Sequence, residues 1–179
     1  MKRGFLVLFL GAFLFSLVPV AQAKSAKADV YFGYSRVGAN LYSPYTSGMN
    51  GWQFAAHVKP LPFVGIEGDL SRYGANVGAG SQHATLVMFG PRVTAHGAGF
   101  SVFAHGLAGN AHLSSNAVAG LAGISYNAVS YALGGGADLP LFLSLKIRVT
   151  GDYLGNTDAP SSSYSPSHYR LGVGVAWHF

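Results

Sequence analysis

From His168 to Phe179, bulky apolar residues alternate without a break with small or polar ones. Tyr169, Leu171, Val173, Val175, Trp177 and Phe179 fall on one parity; His168, Arg170, Gly172, Gly174, Ala176 and His178 fall on the other. Successive side chains of an extended strand point to opposite faces, so this period of two predicts a strand with one greasy face and one small, polar face. The asymmetry recurs in four more segments. Val30, Phe32 and Tyr34 alternate with Tyr31, Gly33 and Ser35, and Trp52, Phe54, Ala56 and Val58 with Gln53, Ala55, His57 and Lys59. Val64, Ile66, Gly68 and Leu70 alternate with Gly65, Glu67, Asp69 and Ser71, and Leu145, Ile147, Val149, Gly151 and Tyr153 with Ser144, Lys146, Arg148, Thr150 and Asp152. Wherever charges occur they sit on the small-residue face. Three further segments, 83–93, 100–111 and 127–137, read as strands whose facing stays open, because apolar residues occupy both parities.

Which way the greasy face points is decided by the charge content. A soluble β-sandwich or lipocalin-like barrel turns its apolar face inward, which here would leave Gly, Ala and Ser as the wet surface. Only 9% of the 179 residues are charged, against roughly 25% in soluble domains, and that is too few to solvate a globule. The longest apolar stretches after residue 23, Ala117–Ile124 and Leu139–Leu145, fall far short of the ~20 residues of a membrane-spanning helix. A closed β-barrel is the other structure that satisfies every backbone group in lipid. Connections alternate as such barrels require: short at 60–62, 94–99 and 138–140, long and rich in Gly, Ser, Asn and Pro at 38–49, 73–82, 112–126 and 155–167. The expected architecture is all-β, an eight-stranded antiparallel up-and-down transmembrane barrel with both termini on the short-turn side.

The chain begins with Lys2 and Arg3, an apolar run from Phe5 to Val20, and Ala21-Gln22-Ala23. A basic start, a hydrophobic run and a small-x-small site are the parts of a cleavable secretory signal peptide. Residues 1–23 are therefore expected to direct export, and residues 24–179 to form the barrel. Removing Lys2 and Arg3 lowers the formal charge from +5 to +3, too little for nucleic-acid binding. The absence of cysteine excludes disulfides and thiolate sites. The seven histidines, His57, His83, His96, His105, His112, His168 and His178, lack the close spacing of a metal site, and Gly134-Gly135-Gly136 lacks the Lys-Ser/Thr pair of a phosphate loop. No cofactor is expected.

Several segments together resemble the small outer-membrane barrel family of the OmpA transmembrane domain and the opacity-type surface proteins. They are Gly134–Asp138, Lys146-Ile147-Arg148, Asp152-Tyr153-Leu154 and Tyr169–Gly174, followed by Val175-Ala176-Trp177-His178-Phe179. The resemblance implies an integral outer-membrane protein in contact with outer-membrane lipids. It implies monomeric, non-enzymatic action as a structural or surface-interaction protein through exposed loops. It also implies that Tyr169, Leu171, Gly172, Val173, Val175, Trp177 and Phe179 form the signal read by the barrel-assembly machinery. A cell-wall tethering role is not expected to carry over from that family.

The residues add their own expectations. An eight-stranded barrel is only wide enough for side chains to fill it, so Lys59, Glu67, Asp69, Lys146, Arg148, Asp152 and Arg170 are expected to plug the lumen as an ion-pair network, with Glu67 or Asp69 meeting Arg148, Lys146 or Arg170. A narrow small-solute pore is the alternative. A third reading rests on His112 and Ser114, which share one face two residues apart and weakly resemble the lipid A deacylases, although those enzymes need an acidic orienter. Trp177 and Phe179 are assigned to one membrane interface and Tyr42, Tyr45, Tyr73 and Tyr153 to the other. Arg36 and Arg72 stand near the long loops, where anionic head groups or solvent would meet them.

Overall fold

The computed structural model describes residues 27–38, 48–77, 80–115, 124–156 and 167–179. The expected signal segment 1–23 lies outside them, as do Tyr42 and Tyr45. Eight strands follow in order: β1 (Lys27–Val37), β2 (Met49–Lys59), β3 (Val64–Val77), β4 (Gly80–His96), β5 (Ser101–Ser115), β6 (Ile124–Phe142), β7 (Leu145–Asn156) and β8 (Ser167–His178). Each pairs antiparallel with the next, and β8 closes on β1 from Asp29↔His178 to Val37↔Arg170. Closure removes the two free edges that an open sheet would expose. Among the described residues, no helix is long and apolar enough to cross a membrane.

The register fixes the stagger. From Tyr34, cross-strand partners run one way through Trp52, Arg72, Thr85 and His112 to Asn127, and the other way through Val173 and Val149 to Ala137. The two routes meet on β6 ten residues apart, and that shear tilts the strands by about 35–45° to the barrel axis.

Bulky side chains point out. Phe32, Ile66, Phe89 and Leu171 are each more than 60% exposed, whereas Arg92, Arg148 and Arg170 are 2% exposed or less. This is the inverse of a soluble protein and the arrangement of a barrel embedded in lipid. The open facings are now fixed. On β4, Val87, Phe89 and Val93 face out while Leu86, Met88 and Arg92 face in; on β5, Phe103, His105, Leu107 and Leu113 face in; on β6, Ala128, Ser130, Ala132 and Asp138 face in.

Several connections differ from expectation. The segment 138–140 is not a turn: β6 continues to Phe142, and the chain reverses at Leu143-Ser144, with Leu143 at φ 51°. Pro140 sits beside a register shift between Pro140 and Phe142, where a strand tolerates a missing N–H. At the opposite end, residues 73–77 and 80–82 are strand, not loop, paired from Gly74↔His83 to Val77↔Gly80. His112–Ser115 likewise belong to β5, paired to Ile124–Asn127. Neighbouring strands offer these polar residues hydrogen-bond partners, and the ladder extends beyond the hydrophobic pattern. One end of the barrel, the turn end, thus has the connections 60–63, 97–100 and 143–144; the other is the loop end.

Candidate functional site

The lumen has two parts. Toward the turn end and through the middle it is ionic. Arg170 donates from Nε to Asp152 at 2.6 Å and from Nη1 to Asp69 at 3.1 Å. His105 touches Asp152 through Nε2 at 2.7 Å and Glu67 through Nδ1 at 3.0 Å, an arrangement in which only the imidazolium offers two donors. Arg92 donates to Glu67 at 2.8 Å and lies 3.7 Å from both Asp29 and Asp138. Arg148 grips Asp138 with Nε and Nη2, at 2.6 and 2.9 Å, and reaches Asp29 at 2.8 Å. His57 Nδ1 meets Asp29 at 2.9 Å. Charge-assisted hydrogen bonds, joined through the 3.7 Å ion pairs of Arg92, link these groups into one continuous network in which each buried charge has an opposite neighbour.

Neutral groups support it. Asp69 also accepts from Ser71 Oγ at 2.8 Å and from Gln53 Nε2. The Phe103 ring lies 3.6 Å from the Arg92 guanidinium carbon and 5.0 Å from that of Arg148, so its π face adds to the compensation. Glycine makes the room: a Cβ at Gly134 would overlap the Asp152 carboxylate, and one at Gly136 would stand 2.7 Å from the Phe103 ring.

Toward the loop end the lumen is apolar. Val37, Met49, Tyr73, Ala84, Leu86, Met88, Leu107, Ala111, Leu113, Ala128, Ala132 and Leu154 form one buried cluster. Tyr73, assigned by sequence to the membrane interface, lies inside with its hydroxyl 3.2 Å from Ser35 Oγ. Its parity on β3 is that of Glu67, Asp69 and Ser71, which determines the side.

The seven charged residues singled out from sequence therefore separate. Glu67, Asp69, Arg148, Asp152 and Arg170 lie within the chain of contacts, and Asp69 does meet Arg170. Glu67 meets Arg92 instead, and Arg148 meets Asp29 and Asp138. Lys59 and Lys146 face the lumen at the turn-end mouth, with no carboxylate ion pair among the described residues. Sequence reasoning did not find Asp29, Arg92, His105 and Asp138. Parity alone would have added Asp29, which precedes Tyr31 on the inner face. Arg92 and His105 lie on strands whose facing the pattern left open.

On the outer surface, Tyr169, Leu171, Val173, Val175, Trp177 and Phe179 all face out, while Gly172 faces in. Tyr34, Trp52, Tyr153 and Tyr169 lie exposed toward the loop end, and Phe63, Phe100, Trp177 and Phe179 toward the turn end. The Tyr and Trp rings of these two belts are placed where amphipathic rings favour bilayer interfaces, with the apolar Phe rings beside them at the turn end. Arg36 and Arg72 face out near the loop-end belt. Further toward the loop end, His112 is exposed with Nδ1 2.8 Å from Asn127 Oδ1, and Ser114 shares its outward parity. Among the described residues, no group of His, Asp and Glu forms a metal-binding cluster.

No family model matches the chain, and no curated relative matches it. Solved structures do. The attachment invasion locus protein Ail of Yersinia pestis is 17% identical, with a TM-score of 0.61 over 87% of this chain and 99% of Ail. Neisserial surface protein A is 9% identical, with a TM-score of 0.63 over 86% of this chain and 96% of that one. The N-terminal β-barrel domain of Pseudomonas aeruginosa OprF is 10% identical, with a TM-score of 0.59 over 87% and 98%. At these identities the likeness is one of fold, that of small outer-membrane barrels.

Proposed function

We propose that this chain, which has the fold of the small outer-membrane β-barrels, is an integral outer-membrane protein that acts at the cell surface through the connections of its loop end. The observation that carries this reading is the filled lumen beneath an apolar outer wall. The wall needs lipid, and the two packed layers inside leave side chains, not water, along the axis. The long connections gather at the loop end, and connecting segments are where scaffolded function concentrates. The Yersinia neighbour is an attachment invasion locus protein and the Neisserial one a surface protein, which supports the same reading.

In this reading residues 1–23 are removed on export, the outward aromatic pattern of β8 ending at Phe179 is read by the barrel-assembly machinery, and the barrel works as a monomer. The test combines two measurements on the folded protein. Planar-bilayer recording is expected to give no stable large conductance. Replacing 39–47, 116–123 or 157–166 by short Gly-Ser connections should abolish attachment of intact cells to the partner surface while heat-modifiable gel migration persists. Stable open-channel currents would favour the narrow-pore alternative and overturn the reading.

A second reading, lipid-ester hydrolysis, has the outward His112 and its Asn127 contact in its favour. It stands second because an amide oxygen orients the ring without supplying the countercharge that stabilises an imidazolium. Acyl release from outer-membrane lipid that disappears in Ser114→Ala would promote it.

A further inference from the structure

The turn-end mouth carries charge that the fold does not need. Lys27 on β1, Lys59 on β2, His96 on β4, Lys146 on β7 and His178 on β8 all share the inward parity of their strands and line one opening. Lys27 and Lys59 are direct cross-strand partners, a like-charge placement that destabilises a sheet. None of the three lysines has a carboxylate ion pair among the described residues. The two carboxylates that face the same opening, Asp29 and Asp138, are already held by Arg148.

The floor of the opening makes the second observation. His57 Nε2, Arg92 Nε and Thr94 Oγ1 are buried there with no hydrogen-bond partner among the described residues. Their residues are 3%, 1% and 6% exposed. Leaving buried polar atoms unpaired costs about 1–3 kcal/mol each, and here three of them border the unmatched lysines. A notch of about 210 Å³ adjoins this opening between the β4–β5 turn and the end of β6, with Phe100, Pro140, His96 and Lys146 among its lining residues. Trp177 and Phe179 mark the bilayer interface at the same end of the barrel.

We infer that the turn-end mouth is a binding site for a phosphate group, held by Lys27, Lys59 and Lys146 over hydrogen-bonding groups in the floor. Lysine ammonium groups bind phosphate as converging point charges, and the apolar notch leaves space for a substituent on the phosphate. The phosphate can come from free anion or from a phospholipid head group in the leaflet at this end. The site is independent of any loop-end activity.

The experiment uses the folded full-length barrel in two arms. In an uncharged detergent, inorganic phosphate is titrated and followed by ³¹P chemical shift. In phosphatidylcholine nanodiscs with and without phosphatidylglycerol, bound lipid is counted by native mass spectrometry after release. Saturable binding of one phosphate or one phosphatidylglycerol per barrel is expected in at least one arm. The arm that responds identifies the source. Lys27→Gln/Lys59→Gln/Lys146→Gln should weaken binding at least tenfold, and the exposed Lys27→Gln alone, which leaves folding untouched, by two- to threefold. Arg72→Gln at the opposite end should change nothing. Absence of saturation in both arms, or lysine variants that bind as tightly as the parent, would overturn the site.

Discussion

The two halves of this lumen solve one packing problem by opposite means. Toward the loop end, Leu86, Met88, Leu107 and Leu113 meet small residues such as Ala111, Ala128 and Ala132. Toward the turn end the same cylinder is filled by three arginines, five carboxylates and two histidines in mutual contact. The apolar half is tolerant, since each of its contacts is weak, non-directional and replaceable by a side chain of similar volume. The ionic half is not, because every member compensates another and removing one orphans the rest. Uncharged packing closes the lumen; the charged layer, in addition, specifies which strands lie opposite one another.

The sharpest way to break this comparison is to delete one charge. Arg170→Ala leaves Asp69 and Asp152 without their shared guanidinium and should cost about 3–5 kcal/mol, read as a lowered urea midpoint from the fluorescence of Trp52 and Trp177. A loss below 1 kcal/mol would mean that the ionic half is as forgiving as the apolar one. Leu107→Ala in the apolar half should cost roughly 2–5 kcal/mol, and Leu107→Met less than about 1.5 kcal/mol. No isosteric rescue of that kind exists for Arg170, because Arg170→Lys loses the planar fork that reaches two carboxylates. Gly134→Ala pushes a methyl group into the Asp152 carboxylate and should cost about 1–3 kcal/mol, visible in the same titration. Arg72→Gln lies on the outer face, outside both halves, and should stay within about 0.5 kcal/mol; a larger shift would tie the outer arginines to the lumen.

The same comparison explains which strands could be read in advance. On β1, β2, β3, β7 and β8 the inner face is small or charged over most of its length, so parity separates it from the greasy outer face at a glance. On β4 and β5 the inner face supplies the apolar half of the lumen. Leu86 and Met88 point in while Val87 and Phe89 point out, and Leu107 points in while Ala104 and Ala108 point out. There the rule of bulky outside and small inside fails, and Arg92 and His105, the links between Glu67 and the remaining charges, stay hidden with it. Asp138 was obscured differently. Next to Leu139-Pro140 it has the composition of a turn, yet Arg148 on the neighbouring strand holds it in the sheet with two hydrogen bonds. Tyr73 was legible by parity and misplaced because its ring chemistry suits an interface.

The sequence by itself determined the period of two, the number and order of the strands, and the outward direction of the apolar residues on five of the eight. Those follow from a local rule, since each residue partitions between lipid and lumen according to its own side chain. Which charge meets which was decided only by the tertiary structure. Asp69 and Arg170 lie 101 positions apart in the chain, and Arg148 and Asp29 lie 119 apart. Closing eight strands at a shear of ten brings them within hydrogen-bond distance across the axis, and no pattern along a single strand contains that information.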